Sequence, residues 1–319
     1  METKIDYLRL SVTDRCNLNC VYCTPLEKSR FLVRSEILTH EELARAAAAF
    51  VGAGVRKIRL TGGEPLIKKG LVELVGMLRG IKGLEELAMT TNGVFLKNAA
   101  ARLRSAGLDR VNISLNTLKK ERFRAVTGSD VFGEVWRGVK KAEACFSRVK
   151  LNVILMKGVN DDEMHDFARL TVERPLTVRF IEYFPANNRS GKLAGALVKS
   201  EEVKAGIAAR FGALTELPQV KGAGPARRYK LKGAKGELGF ISNRTENFCS
   251  VCNRMRMDCA GKIYPCLFSE STHELRTLLR KGAGTEAVAE HIKKVFLIKS
   301  GYRKDNAPAR NLEMSHIGG

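Results

Sequence analysis

A chain of 319 residues has room for one large α/β domain with an extension, or for two average domains. Its 44% hydrophobic content excludes a disordered polycation despite a formal net charge of +21, and eight cysteines are too few for a disulfide scaffold. No apolar run approaches the roughly 20 residues that span a bilayer, and the opening METKIDYLRL has no signal-peptide core, so the expectation is a cytoplasmic protein with clustered cysteines for metal or redox work and an anionic partner for its charge.

Short apolar, β-branched runs predict strands at Tyr7–Val12, Val55–Leu60, Leu87–Thr91, Val111–Leu115, Val149–Leu155 and Val178–Tyr183. Helical stretches alternate with them. Thr39-His-Glu-Glu reads as a capping box before LARAAAAFVGAG, which ends on glycine, and Asn160–Leu170 has a similar start. Six strand-then-helix units in a row predict an α/β fold with parallel strands and outer helices: an open, partial (β/α)6 barrel of the TIM type. The pattern stops near Pro185, which divides the chain into a barrel (1–185) and a C-terminal extension (186–319). In the extension a helix is expected over Ser200–Phe211 and a hairpin over Arg228–Leu231 and Glu237–Ile241. A compact Cys-rich region (249–266) follows, then helices near 272–281 and 284–298, and an end with no apolar period.

Cys16, Cys20 and Cys23 follow the first strand in VTDRCNLNCVYCTP, with C-x3-C-x2-C spacing. A closed structural zinc site wants four ligands, and no fourth Cys or His lies nearby. A four-iron cubane on three thiolates leaves one iron open for chemistry. Cys249, Cys252 and Cys266 form a second set in FCSVCNRMRMDCAGKIYPCLF. Here zinc competes better, because Cys259 supplies a candidate fourth ligand.

The strands also carry cations: Arg9 on the first, Lys57 and Arg59 on one face of the second, Lys150 and Arg179 near the fifth and sixth. Basic side chains pointing into a dry core would be very costly, so a wet, anion-binding lumen is expected. Arg254 and Arg256 add to it from the second Cys region. Guanidinium groups suit the task, as they bind phosphates bidentately and stay charged.

The first cluster, with Tyr22 before its third Cys, resembles the radical S-adenosylmethionine (SAM) signature, and Thr61-Gly62-Gly63-Glu64-Pro65 resembles that superfamily's GGE motif. LRLSVTDRCN, IRLTGGEPL, TTNG, VNISLN, NVILMKGVND, VRFIEYFP, FCxxCNRxR…CLF and the terminal MSHIGG follow the order of the molybdenum-cofactor biosynthesis protein A family. The resemblance covers nearly the whole chain. It implies a GTP 3′,8-cyclase with SAM and two [4Fe-4S] clusters, one on Cys16, Cys20 and Cys23 and one on Cys249, Cys252 and Cys266. Cys145 and Cys259 then remain extra thiols.

The same resemblance assigns SAM to Tyr22, Gly63, Ser114 and Phe184, where the family usually has Met, with Asn92 and Asn116 alongside. It assigns GTP to Thr90 and Lys150 (Lys157 as fallback), and the cations Arg9, Lys57, Arg59, Arg254 and Arg256, with Met255, complete the expected GTP contacts. Catalytic roles fall to Arg179, Arg254, Arg256 and the tail glycines Gly318 and Gly319. Glycines there can follow a path too narrow for any Cβ. The implied partners are GTP, SAM, a reductase as electron donor and a downstream cyclic pyranopterin monophosphate synthase. A homodimer is allowed for; membrane and nucleic acid are not expected. Two other readings stand beside this one: a twin-cluster radical SAM enzyme acting on another substrate, and a basic, zinc-bound RNA-binding protein. CNRMR and the terminal Gly-Gly argue against the first, thin aromatic content against the second.

Overall fold

The computed structural model describes residues 4–24, 31–185, 187, 193, 195–219, 224–246, 252–267, 269, 271–299 and 314–317. The predicted strands all form: β1 (Tyr7–Ser11), β2 (Lys57–Thr61), β3 (Glu86–Thr91), β4 (Arg110–Ser114), β5 (Val149–Leu155) and β6 (Thr177–Glu182). They pair in parallel, in chain order. Each strand splits its side chains between two environments. Leu8, Leu10, Ile58, Leu60, Val111, Ile113, Leu151 and Val153 are buried in a single outer core beneath the helices. Their neighbours at the two-residue period face the lumen.

The helices among the described residues are α1 (His40–Gly52), α2 (Leu71–Arg79), α3 (Leu96–Ser105), α4 (Lys120–Thr127), α5 (Phe132–Cys145), α6 (Met164–Glu173), α7 (Ser200–Phe211), α8 (Arg276–Arg280), α9 (Thr285–Lys299) and α10 (Met314–Ile317). The capping box of α1 is present: Glu42 N–H donates to Thr39 Oγ1 at 3.2 Å, and Thr39 N–H to Glu42 Oε2 at 2.8 Å. Glu42 also takes Arg280 Nε at 2.8 Å, which ties α1 to α8.

Asn160 does not cap a helix as its sequence suggested. A 3-10 turn (Asp161–Glu163) intervenes and α6 starts at Met164. The Asn160 carboxamide is spent elsewhere: Oδ1 accepts Met156 N–H at 2.7 Å, and Nδ2 donates to Ile154 O at 2.9 Å and Asn116 O at 2.5 Å. It locks the ends of β4 and β5 together.

The C-terminal region does more than follow the barrel. β9 (Glu237–Ile241) adds a parallel strand beyond β6, and β10 (Arg254–Met257) adds one beside β1. The described sheet therefore runs β12-β11-β10-β1-β2-β3-β4-β5-β6-β9-β8-β7, open at both edges. Antiparallel β7 (Leu214–Leu217) and β8 (Arg227–Leu231) cover one side, β11 (Lys262–Tyr264) and β12 (His273–Glu274) the other. The predicted hairpin is β8–β9. Strand β10 was hidden in the sequence, because RMRM alternates cations with Met inside a Cys-rich stretch. No helix among the described residues is long and apolar enough to cross a membrane.

Candidate functional site

A cavity of about 400 Å³ opens within the curved sheet. At one end the first thiol loop leaves β1 and docks on the turn after β2. Gly63 N–H donates to Thr13 O at 2.9 Å and Glu64 N–H to Arg15 O at 2.8 Å. The approach leaves no space for a side chain: a Cβ on Gly63 would lie 2.1 Å from Arg15 O and 2.9 Å from Cys16 N. Gly62 has φ of +134°, a conformation that favours glycine. Glu64 is fully buried and holds the next loop, accepting Leu66 N–H (3.0 Å), Thr91 Oγ1–H (2.7 Å) and Asn92 N–H (2.6 Å). Burial pushes its carboxyl up to about 7.

Cys16, Cys20 and Cys23 all line this end of the cavity. Cys16 Sγ accepts Leu18 N–H at 3.4 Å and faces Asn92 Nδ2 at 3.9 Å, N–H···S contacts that suit a metal-bound thiolate. A single zinc would draw its thiolates to ~2.3 Å. Among the described residues no three Cys, His, Asp or Glu side chains gather around one ion. Three thiols on one loop suit a cubane, which takes each thiolate on its own iron. Tyr22 lies beside them in a small cluster with Val126, Met156 and Tyr183, and burial keeps its phenol well above the ordinary value.

The lumen is a field of cations. Register places Arg256, Arg9 and Arg59 side by side on β10, β1 and β2, with Arg110 two strands further on across Ala88. On the far wall Ser114, Asn152, Arg179 and Gly239 share a row. Arg179 donates to Asn152 Oδ1 from Nε at 3.0 Å and from a terminal nitrogen at 2.6 Å. Gly239 leaves room for it, since a Cβ there would meet Arg179 Cγ at 3.0 Å. Burial and mutual repulsion depress these groups, Arg179 to about 9, Arg256 to about 10 and Arg9 well below its ordinary value. Tyr7 Oη accepts Arg59 Nε–H, and although burial opposes it, Arg59 and Arg9 bring the phenol down to about 8. Glu86 pairs with Arg110.

Cys252 and Cys266 line the opposite end; Cys249 lies outside the described residues. Burial works against the Cys252 thiolate, but Arg254 and Lys299 bring the thiol down to about 7. Lys299 Nζ is 3.7 Å from Cys252 Sγ and 2.9 Å from Pro265 O. Cys259 is fully buried in the outer layer, away from this cavity, and burial pushes its thiol up to about 12. It cannot join Cys252 and Cys266 on one zinc. Cys145 sits at the end of α5, also apart from the cavity.

Arg9, Lys57, Arg59, Thr90, Arg179, Arg254 and Arg256 line the cavity, as do Tyr22, Gly63, Ser114 and Phe184. Two expected nucleotide contacts do not. The Met255 side chain points into the outer core, because it alternates with Arg254 and Arg256, so only its backbone is left for a ligand. Lys150 sits below Asn152 near the start of β5, outside the lining. Its neighbours are nonetheless those of the lumen: burial first, then Arg179, Arg110 and Arg59, lower it to about 7. Lys157 is exposed on the loop after β5 and lies outside the cavity. Tyr7, Arg110, Asn112, Asn152 and Lys299 were missed. Arg110-x-Asn112-x-Ser114, polar at every second place of an apolar strand, was a usable signal. Gly318 and Gly319 lie outside the described residues, but Met314 lines the cavity and Arg256 Nη1 donates to Ile317 O at 3.2 Å.

This barrel, with its thiol loop and GGE turn, is that of a radical SAM enzyme: residues 10–171 match the Radical SAM superfamily, and residues 176–304 match Molybdenum Cofactor Synthesis C. Fold comparison agrees, the Streptococcus suis SuiB structure bound to S-adenosylmethionine covering 91% of this chain and 68% of its own at TM-score 0.63 and 13% identity. The GTP 3′,8-cyclase of Heliobacterium modesticaldum is 47% identical over 92% of this chain and 90% of its own. That of Pelotomaculum thermopropionicum is 43% identical over 100% and 98%. The chain belongs to the GTP 3′,8-cyclase family.

Proposed function

We propose that the chain converts GTP to 3′,8-cyclo-7,8-dihydro-GTP in the cytoplasm, the first step of molybdenum cofactor synthesis. The observation that carries this reading is the cation-lined lumen between two thiol sets, which fits a polyphosphate held between two clusters. Cys16, Cys20 and Cys23 would hold the first cluster, Cys249, Cys252 and Cys266 the second. When bound, SAM and the first cluster would supply the radical chemistry needed at the ribose. Tyr22, Gly63, Ser114 and Phe184 would seat SAM. Arg9, Lys57, Arg59, Thr90, Arg254 and Arg256 would grip the nucleotide, with Arg179 fixed across the lumen by Asn152. Buried guanidinium groups orient the triphosphate and neutralise it as water leaves, and orientation alone can contribute several kcal/mol. Residues 1–185 then act as the barrel that holds the first cluster, SAM and most of the nucleotide grip, and 186–319 as the extension that brings the second cluster, Arg254 and Arg256 to it. A reductase would supply electrons and a cyclic pyranopterin monophosphate synthase would take the product.

Anaerobic incubation with GTP, SAM and dithionite tests the reading. A nucleotide of unchanged mass that separates from GTP, formed together with 5′-deoxyadenosine, is expected. Unaltered GTP beside 5′-deoxyadenosine would remove the substrate assignment.

The buried cations make a second prediction. Burial and the surrounding guanidinium groups bring Lys150 down to about 7, so at pH 8 it is mostly neutral. A bound polyphosphate favours the charged form and returns its pKa toward the ordinary value. GTP binding at pH 8 should therefore take up protons, and at pH 6 the uptake should shrink. Tyr7, near 8, moves in the same direction. Calorimetry at pH 8 in buffers of different ionisation enthalpy reads the effect. Equal binding heats in all buffers would contradict it.

A further inference from the structure

Phe184 follows β6 at the cavity edge, and two otherwise separate parts of the chain meet on it. The Arg244 guanidinium carbon lies 5.4 Å from the centre of its ring. Ile317 of α10, 5% exposed, packs with Phe184, Tyr264, Leu267 and Met314 in an apolar cluster separate from the main core. The Ile317 carbonyl accepts Arg256 Nη1–H.

The loop that carries Arg244 is anchored to the same strand end. Glu182, buried two residues before Phe184, accepts Arg244 N–H at 2.8 Å, Thr245 N–H at 2.9 Å and Thr245 Oγ1–H at 2.6 Å. A four-residue helix cannot hold itself in water, since one turn fixes many dihedrals for few hydrogen bonds. The seat of α10 must come from its contacts. Among them are the Ile317 side chain against Phe184, Tyr264 and Leu267 and the Ile317 carbonyl on Arg256.

We propose that Arg244, Phe184 and Ile317 form a clasp that seats the C-terminal helix and so aims Arg256 at the nucleotide, with Arg244 as the positioning residue. The proposal rests on the reading of the cavity as a joint SAM and GTP site. A cation over the ring fixes its tilt, and a fixed ring offers Ile317 one docking surface. Any ligand that orders Phe184 from the SAM side then also orders the tail. Occupancy of one site is thereby communicated to the guanidinium that serves the other.

Arg244 is exposed, so its removal spares the fold. In hydrogen exchange on the protein without nucleotide, the peptide holding residues 314–317 should exchange faster in Arg244→Ala than in wild type, and SAM should slow it less. In turnover, Arg244→Ala should raise the KM for GTP roughly three- to fivefold, the loss expected of one exposed cation–π contact, with iron content unchanged. More 5′-deoxyadenosine should form per cyclised nucleotide. Arg244→Lys, which keeps a cation over the ring, should recover most of both effects, and Ile317→Ala should repeat them. Wild-type exchange at 314–317 together with a wild-type product ratio in Arg244→Ala would overturn the clasp. The exchange arm uses no GTP, so it decides on the clasp even if the substrate assignment fails.

Discussion

Alanine at Cys16, Cys20 or Cys23 is expected to abolish SAM cleavage, whereas alanine at Cys249, Cys252 or Cys266 should end GTP turnover and leave uncoupled 5′-deoxyadenosine formation. The division follows from where the thiols stand. Cys16, Cys20 and Cys23 share one loop, docked through Gly63 and Glu64 on the turn after β2. Cys252 and Cys266 line the other end of the cavity, next to Arg254, Arg256 and Lys299. Losing one of three ligands leaves an incomplete cluster, so each effect should approach total loss. Iron per chain, 5′-deoxyadenosine and cyclised nucleotide are measured on every variant. Cys145→Ser and Cys259→Ser should retain full iron. The second should still lower stability by about 1–3 kcal/mol, because it puts a hydroxyl where a buried thiol was. If the Cys252 and Cys266 variants lose uncoupled SAM cleavage as completely as the first set, the two ends do not work separately.

The parallel strands were legible because each carries two messages at once. In KIRLT, Ile58 and Leu60 specify an outer core while Lys57 and Arg59 specify a lumen, and only a two-sided curved sheet satisfies both. The same alternation in β10 was not legible: four residues are too short to establish a period, and the cysteines on either side suggested a loop. Met255 was misplaced for a related reason. A motif lists neighbours in sequence, but a strand sends them to opposite faces. Asn160 misled because an Asn before an acidic run has the composition of a cap, while the pairing of its carboxamide with Asn116 depends on a loop 44 residues away. Arg244 over Phe184 lies beyond sequence reasoning altogether, since Glu182 creates it by folding the loop after β9 onto the end of β6.

Function and stability pull in opposite directions in the lumen, and Arg59→Met should separate them. Arg59 is 3% exposed, donates to the Tyr7 hydroxyl and reaches Thr90 Oγ1 at 3.5 Å. Without a ligand it adds to the field that depresses Lys150 and Arg179. Burying a charge is costly, so an apolar side chain of similar size in its place should be neutral or stabilising. Against that, Tyr7 loses a hydrogen-bond partner, at about 1–3 kcal/mol. The Tyr7→Phe, Arg59→Met double variant removes this cost, so it should melt at or above the wild-type temperature when no nucleotide is present. GTP affinity should move the other way. One charge-assisted hydrogen bond to a phosphate is worth about 1.5–3 kcal/mol, which predicts a roughly 10- to 150-fold rise in Kd for Arg59→Met. Arg59→Lys keeps the charge but not the fork, and should fall between. Melting without ligand and GTP titration at fixed salt measure the two quantities independently. A double variant that melts several degrees lower while binding GTP as wild type does would make Arg59 a structural prop, and the cationic lumen would lose its central ligand.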